Sequence, residues 1–116
     1  MESNVDRILE VLKKDKLYLN PELDLYEFSK QLKLPIRTVS ELINNNLDMG
    51  FPALIQKYRL EFTMVRIQEK PKAVKLKNLA KEAGFKSRIT FFNAFKKTTG
   101  LSPSEYVQNQ IKLLSP

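Results

Sequence analysis

The sequence predicts an all-α chain, and three observations carry that prediction. Apolar residues recur at helical spacing from one end of the 116 residues to the other. Proline, glycine and capping side chains fall between those runs, and no stretch alternates convincingly at a period of two. The chain also matches itself at a shift of 51 residues, each copy reading as helix, tight turn, helix.

Val5, Ile8, Leu9 and Leu12 lie at i, i+3, i+4 and i+7, the face of a first helix capped by Ser3 or Asn4 and ended before Asn20-Pro21. Asp24, with Glu27 three residues on, opens a second helix over 25–32 that turns Leu25, Phe28 and Leu32 inward. Leu34-Pro35 stops it. Proline suits a first turn, so a third helix over about 35–45 buries Val39, Leu42 and Ile43. From Phe51, the positions Phe51, Leu54, Ile55, Tyr58, Phe62 and Val65 keep helical spacing for about five turns, while Leu60, Met64 and Ile67 add a second apolar face. A helix that is apolar on two sides sits between two packing units. Pro71 ends it, and the lysine-rich run 70–77 leads into a fifth helix over about 76–83. Gly84 turns the chain; Ser87 caps a sixth helix through about Thr98, with Phe91 and Phe95 on one face and Gly100 as its left-handed end. Ser102-Pro103-Ser104-Glu105 supplies cap, first-position proline and acid for a seventh helix carrying Tyr106, Val107 and Ile111.

The repeat gives this series its organisation. Leu25-x-x-Phe28-Ser29-Lys30 matches Leu76-x-x-Leu79-Ala80-Lys81, and after a one-residue insertion Leu34 falls on Phe85, Val39 on Phe91, Ile43 on Phe95 and Met49 on Leu101. A small residue, Ser29 or Ala80, stands where the two helices of each copy come closest. The expected architecture is therefore seven helices in two helix-turn-helix subdomains, residues 1–50 and 71–116, joined by a long linker helix over 51–70.

Composition limits the chemistry. With no cysteine and no histidine the chain lacks the usual metal ligands, thiolate nucleophiles and near-neutral proton carriers, so neither an enzyme nor a cofactor is expected. Glu22, Asp24 and Glu27 sit at a helix start, where capping explains them. No apolar run approaches the ~18 residues a membrane span needs, and the first residues are acidic where a signal peptide is basic, which points to a cytoplasmic protein. Twenty basic against 13 acidic residues favour a polyanionic partner, and the excess is uneven: residues 1–50 carry net −2 and residues 51–116 net +9.

The second helix of a helix-turn-helix can enter a major groove, where outward side chains read base edges. In the first copy Arg37, Thr38, Ser40, Glu41 and Asn44 lie off the buried stripe; arginine suits guanine, asparagine adenine, and glutamate accepts from cytosine. In the second, Lys86, Arg88, Ile89, Thr90, Asn93, Lys96 and Lys97 lie off the Phe91/Phe95 stripe. Lys86, Lys96 and Lys97, with Lys75 and Lys77 of the connection, are placed for phosphates. A linker helix over 51–69 is about 28 Å long at ~1.5 Å per residue, close enough to the roughly 34–36 Å of one duplex turn for two recognition helices to enter successive major grooves.

The run Leu79-Ala80-Lys81-Glu82-Ala83-Gly84-Phe85-Lys86-Ser87-Arg88, continued by 91–106 from Phe91-Phe92-Asn93 to Pro103-Ser104-Glu105-Tyr106, resembles the signature of the AraC/XylS family of bacterial transcription regulators. Tyr58-Arg59-Leu60-Glu61 resembles that family's linker-helix motif, and 25–51 its first helix-turn-helix. The resemblance implies sequence-specific binding of promoter DNA, with base-reading positions at Arg37, Ser40 and Glu41 and at Arg88, Ile89, Thr90 and Asn93. It also implies a sensor or dimerisation domain elsewhere in a longer chain, unless this is a small stand-alone member; RNA polymerase is a candidate further partner, one on which the acidic first half could dock. The sequence departs from the family at Lys33, where a turn glycine is usual, at Glu41 and Asn93, where arginine is frequent, and at Thr63, where alanine is usual. Thr63 is expected to be a packing adjustment. A protein-interaction module, docking through its acidic first half and holding DNA weakly through its basic second, is the competing reading. Phe91 and Phe95 are expected in the core, Phe92 against the last helix with base or sugar contact as the other reading, and Tyr18, Tyr26 and Tyr58 half-buried. The lysines of 70–77 are read either as a solvated linker or as phosphate contacts.

Overall fold

The computed structural model describes residues 3–114. Within them lie seven α-helices, α1 (Asn4–Lys14), α2 (Leu25–Leu32), α3 (Ile36–Leu47), α4 (Phe51–Glu69), α5 (Leu76–Glu82), α6 (Arg88–Thr99) and α7 (Pro103–Leu114), with single 3-10 turns at Leu17–Leu19 and Pro71–Ala73. The chain divides into two compact units, Met1–Lys57 and Tyr58–Pro116. The boundary falls inside α4, which supplies buried residues to both.

In the first unit the caps are those the side chains dictate. Ser3 Oγ accepts from the Asp6 backbone N–H at 3.1 Å and the Ser3 N–H donates back to Asp6 at 3.4 Å, so a reciprocal box opens α1. Asp24 Oδ1 accepts from the Glu27 N–H at 2.8 Å and opens α2. Lys33 then takes a left-handed conformation, φ 59°, and reverses the chain. Pro35 is the residue before α3 rather than its first turn, and α3 runs on to Leu47, where Asp48 takes the left-handed stop at φ 54°. The core is Ile8, Leu12, Phe28, Leu32, Val39 and Ile43, joined by Phe51, Leu54 and Ile55 from the start of α4. The Phe28 and Phe51 rings lie 5.5 Å apart. Tyr26, expected half-buried, is 57% exposed because Phe28, Ser29 and Leu32 occupy the inner face of α2.

The second unit is built on Leu60 and Ile67 of α4, Leu79 and Ala80 of α5, Ala83 and Phe85 of the turn, Phe91, Ala94 and Phe95 of α6 and Val107 of α7. Phe91 and Phe95 are fully buried, as their i, i+4 spacing requires, and the Phe95 ring meets Tyr106 edge-on at 5.3 Å. Thr63 is also fully buried; its hydroxyl donates to the Leu60 carbonyl at 2.7 Å, so the helix itself satisfies the polar atom. Val65, expected on the first apolar face of α4, is instead 49% exposed, because within this unit the buried stripe of α4 is Leu60, Thr63 and Ile67. Gly84 turns the chain at φ 90° and Gly100 ends α6 at φ 80°, while Ser102 and Glu105 form the capping box of α7 at 2.9 and 3.1 Å.

Candidate nucleic-acid interface

Each unit holds the second helix of its helix-turn-helix by one face and leaves the other outward. In α3, Val39 and Ile43 are fully buried and Leu42 is half-buried. The outer face carries Arg37, Ser40, Glu41 and Asn44, spaced at i, i+3, i+4 and i+7. The Arg37 side chain is 90% exposed and its Nε donates to Glu41 Oε1 at 3.0 Å. Glu41 thus occupies the Nε edge of the guanidinium and leaves the two terminal nitrogens pointing onward, the pair that matches the O6 and N7 acceptors of guanine. Ser40 is half-buried, and Asn44 Nδ2 donates to its carbonyl at 2.9 Å and lies 3.4 Å from its hydroxyl.

In α6 the burial of Phe91, Ala94 and Phe95 sets the register, and Arg88, Ile89, Thr90 and Asn93 are all exposed. Ser87 fixes the start: its Oγ accepts from the Thr90 N–H at 3.3 Å. Lys86, just before the helix, and Lys96 and Lys97, in its last turn, are exposed, as are Lys75 and Lys77 at the start of α5. Seven of the twelve expected contact residues therefore belong to the turn and helix 86–97, within one unit, and they include four cations, Lys86, Arg88, Lys96 and Lys97.

One expectation fails on this helix. Phe92, expected against α7, is 44% exposed, its ring lying 5.7 Å from that of Phe91. The inner arc of α6 is filled by Phe91, Ala94 and Phe95, which leaves no place for a third ring there. Its i+3 relation to Ile89 was the signal available in the sequence.

The linker-helix motif serves packing. Burial holds the Arg59 guanidinium below its ordinary pKa range, and Arg59 lies over the Phe85 ring at 5.9 Å. Burial, with the charge of Glu61 second, raises the Tyr58 phenol. Among the described residues no group of three histidines, cysteines or acids could hold a metal ion, and no helix is long and apolar enough to cross a membrane.

Comparison with known proteins agrees with this geometry. Residues 28–109 match a family model described as a helix-turn-helix domain. No curated protein sequence matches. Among solved structures, the C-terminal domain of the two-component response regulator yesN from Fusobacterium nucleatum is similar at TM-score 0.76 and 22% identity, over 90% of this chain and 99% of that one. The C-terminal domain of AraT, a response regulator from Geobacillus stearothermophilus, is similar at 0.77 and 23%, over 92% and 88%. A DNA-binding transcriptional dual regulator from Escherichia coli K-12 is similar at 0.77 and 16%, over 94% and 99%. Seven helices, two helix-turn-helix copies and the match across most of its length together make the chain a member of the AraC-type helix-turn-helix family of DNA-binding transcription-regulator domains.

Proposed function

We propose that the chain binds double-stranded promoter DNA sequence-specifically, with α3 and α6 each in a major groove and the two grooves successive along one face of the duplex. Arg37, Ser40 and Glu41 read bases from α3, and Arg88, Ile89, Thr90 and Asn93 from α6. Lys86, Lys96, Lys97, Lys75 and Lys77 hold phosphates, which sets register without carrying sequence information. The observation that supports this most directly is the outward arc of α6, where four polar or apolar reading residues are bracketed by Lys86, Lys96 and Lys97. Such a domain works in the cytoplasm, as part of a regulator whose sensor or dimerisation domain lies elsewhere in a longer chain, and RNA polymerase is its further partner.

A second reading rests on charge. Residues 1–57 carry 8 basic and 9 acidic side chains, residues 58–116 carry 12 and 4, and Arg37 already holds a carboxylate. In that reading the first unit docks on a protein while the second grips DNA without reading it.

Selection of the full chain against a randomised duplex library at near-physiological salt, followed by isotherms on the winners at several salt concentrations, separates the two. Two enriched boxes one helical turn apart, with a steep salt slope, are the expected result. A single short box would confine reading to the second unit, and no enrichment would refute sequence-specific binding.

A further inference from the structure

We propose that Ile89 and Phe92 form a thymine-methyl reader on α6, an inference that rests on α6 entering a major groove. At about 100° per residue, Ile89 lies at the middle of the outward arc of α6, with Lys96 about 20° and Phe92 about 60° to one side, Asn93 about 40° to the other, and Arg88 and Thr90 near the two edges. Ile89 is 72% exposed and Phe92 44%, while Phe91 and Phe95 on the same helix are fully buried. The face that would meet DNA thus carries two exposed apolar side chains, Ile89 and Phe92, beside the polar Asn93 and Lys96. Positions i and i+3 put the two side chains side by side, so they form one patch.

Two observations choose the occupant. The patch is ringed by exposed cations, Lys86, Arg88, Lys96 and Lys97, which complements a polyanion and opposes a purely apolar protein surface. The Phe92 ring also rests against Phe91 at 5.7 Å with an interplanar angle of 49°, and Phe91 is immobilised in the core, so the outward ring is braced. Among the four bases only thymine presents an apolar group, its 5-methyl, in the major groove, and aliphatic or aromatic side chains are its complement. Cβ atoms about 5–6 Å apart span neighbouring or next-neighbouring base pairs at ~3.4 Å rise, so the pair reads two thymines close together in the α6 box.

The test uses the full chain and the duplex enriched by selection. Each thymine is replaced singly by deoxyuridine, which removes the methyl and keeps every hydrogen-bonding group. The intact chain is expected to lose about three- to fivefold in affinity at two nearby positions, the weight of about one buried carbon each. Ile89→Ala abolishes the thymine-over-uracil preference at one of them and Phe92→Ala at the other, while Phe92→Leu retains part of it. All three variants are expected to keep the wild-type helical content, checked by circular dichroism, and Phe92→Leu keeps most of the packing on Phe91 that Phe92→Ala gives up. If thymine and deoxyuridine bind equally at every position while the chain still prefers its selected box, the inference fails and the DNA-reading function stands. It fails equally if the variants discriminate like the wild type, or if the α6 box contains no thymine. Absence of any sequence preference in the intact chain overturns both.

Discussion

Ser29 and Ala80 occupy equivalent places in the two copies, and the difference between them makes a quantitative test. Ser29 is 2% exposed and its hydroxyl is buried with no hydrogen-bond partner; Ala80 is 3% exposed at the matching point of α5. A buried hydroxyl without a partner costs about 1–3 kcal/mol, and serine is a few tenths of a kcal/mol poorer than alanine inside a helix. Losing one oxygen's packing contacts offsets part of that gain. Ser29→Ala is therefore expected to stabilise the first unit by about 1–2 kcal/mol, which for a domain of this size raises the thermal midpoint by about 4–8 °C per kcal/mol. Ala80→Ser is expected to destabilise the second unit by a similar amount. Urea and thermal unfolding followed by far-ultraviolet circular dichroism measure both, and wild-type helical content checks that neither variant is disrupted. A lower midpoint for Ser29→Ala would mean that the hydroxyl is bonded in solution and that the helix crossing does not select for a small apolar residue.

Other outcomes follow from the same structure. Lys33→Gly relieves a left-handed lysine, φ 59°, and is expected to stabilise by about 0.5–1 kcal/mol after the extra freedom glycine gains in the unfolded chain; a loss of stability would contradict the turn geometry. Arg88→Ala should cost roughly 1–3 kcal/mol at one base position of the selected site, measured by competition between single-base variants, and unchanged discrimination there removes it from the reading set. Lys97→Ala should weaken binding to all duplexes alike and lower the salt slope by about one unit, whereas a loss confined to particular sequences argues against a phosphate contact. Hydrogen bonds from the Ser102 backbone and side chain, with a smaller contribution from Lys96, lower the Glu105 carboxyl below its ordinary range. A lowered folded pKa gives stability that is present above the unfolded value and lost as pH falls through the folded one, so Glu105→Gln should flatten the acid limb of the stability profile and leave its neutral region unchanged in slope.

Where the sequence was legible, a specific side chain made it so. Asp24 and Leu32 bracket α2 because a cap and a last inward leucine are both visible, and Ser87 and Gly100 do the same for α6. The end of α3 was less visible, because Asp48 rather than a glycine takes its left-handed stop. Within α4 the apolar positions are consistent with more than one stripe. Thr63, a polar residue whose hydroxyl its own helix satisfies, belongs to the buried stripe, and Val65 does not. Tyr26 and Phe92 were misplaced for a shared reason: apolar or aromatic character says that a residue can be buried, while the arc already filled by its neighbours decides whether it is. Of the candidate site, the outward placement of the α3 and α6 residues followed from periodicity. The Arg37–Glu41 pair was present as i, i+4 spacing, but its geometry, with the carboxylate on Nε, belongs to the fold.

The turns of the two units are built from different material. Lys16, Lys33 and Asp48, the left-handed residues other than glycine among those described, all lie in the first unit, while the left-handed glycines Gly84 and Gly100 both lie in the second. Each left-handed lysine holds about 1–2 kcal/mol that a glycine would not, and aspartate somewhat less, so conformational strain is concentrated in the first unit. That energy is returned whenever a turn opens, which lowers the cost of local unfolding there and shortens the time its amides stay protected from solvent exchange. The first unit is thus the more easily loosened of the two, and three single glycine replacements, all off the outer face of α3, are available to tighten it without altering what that face presents.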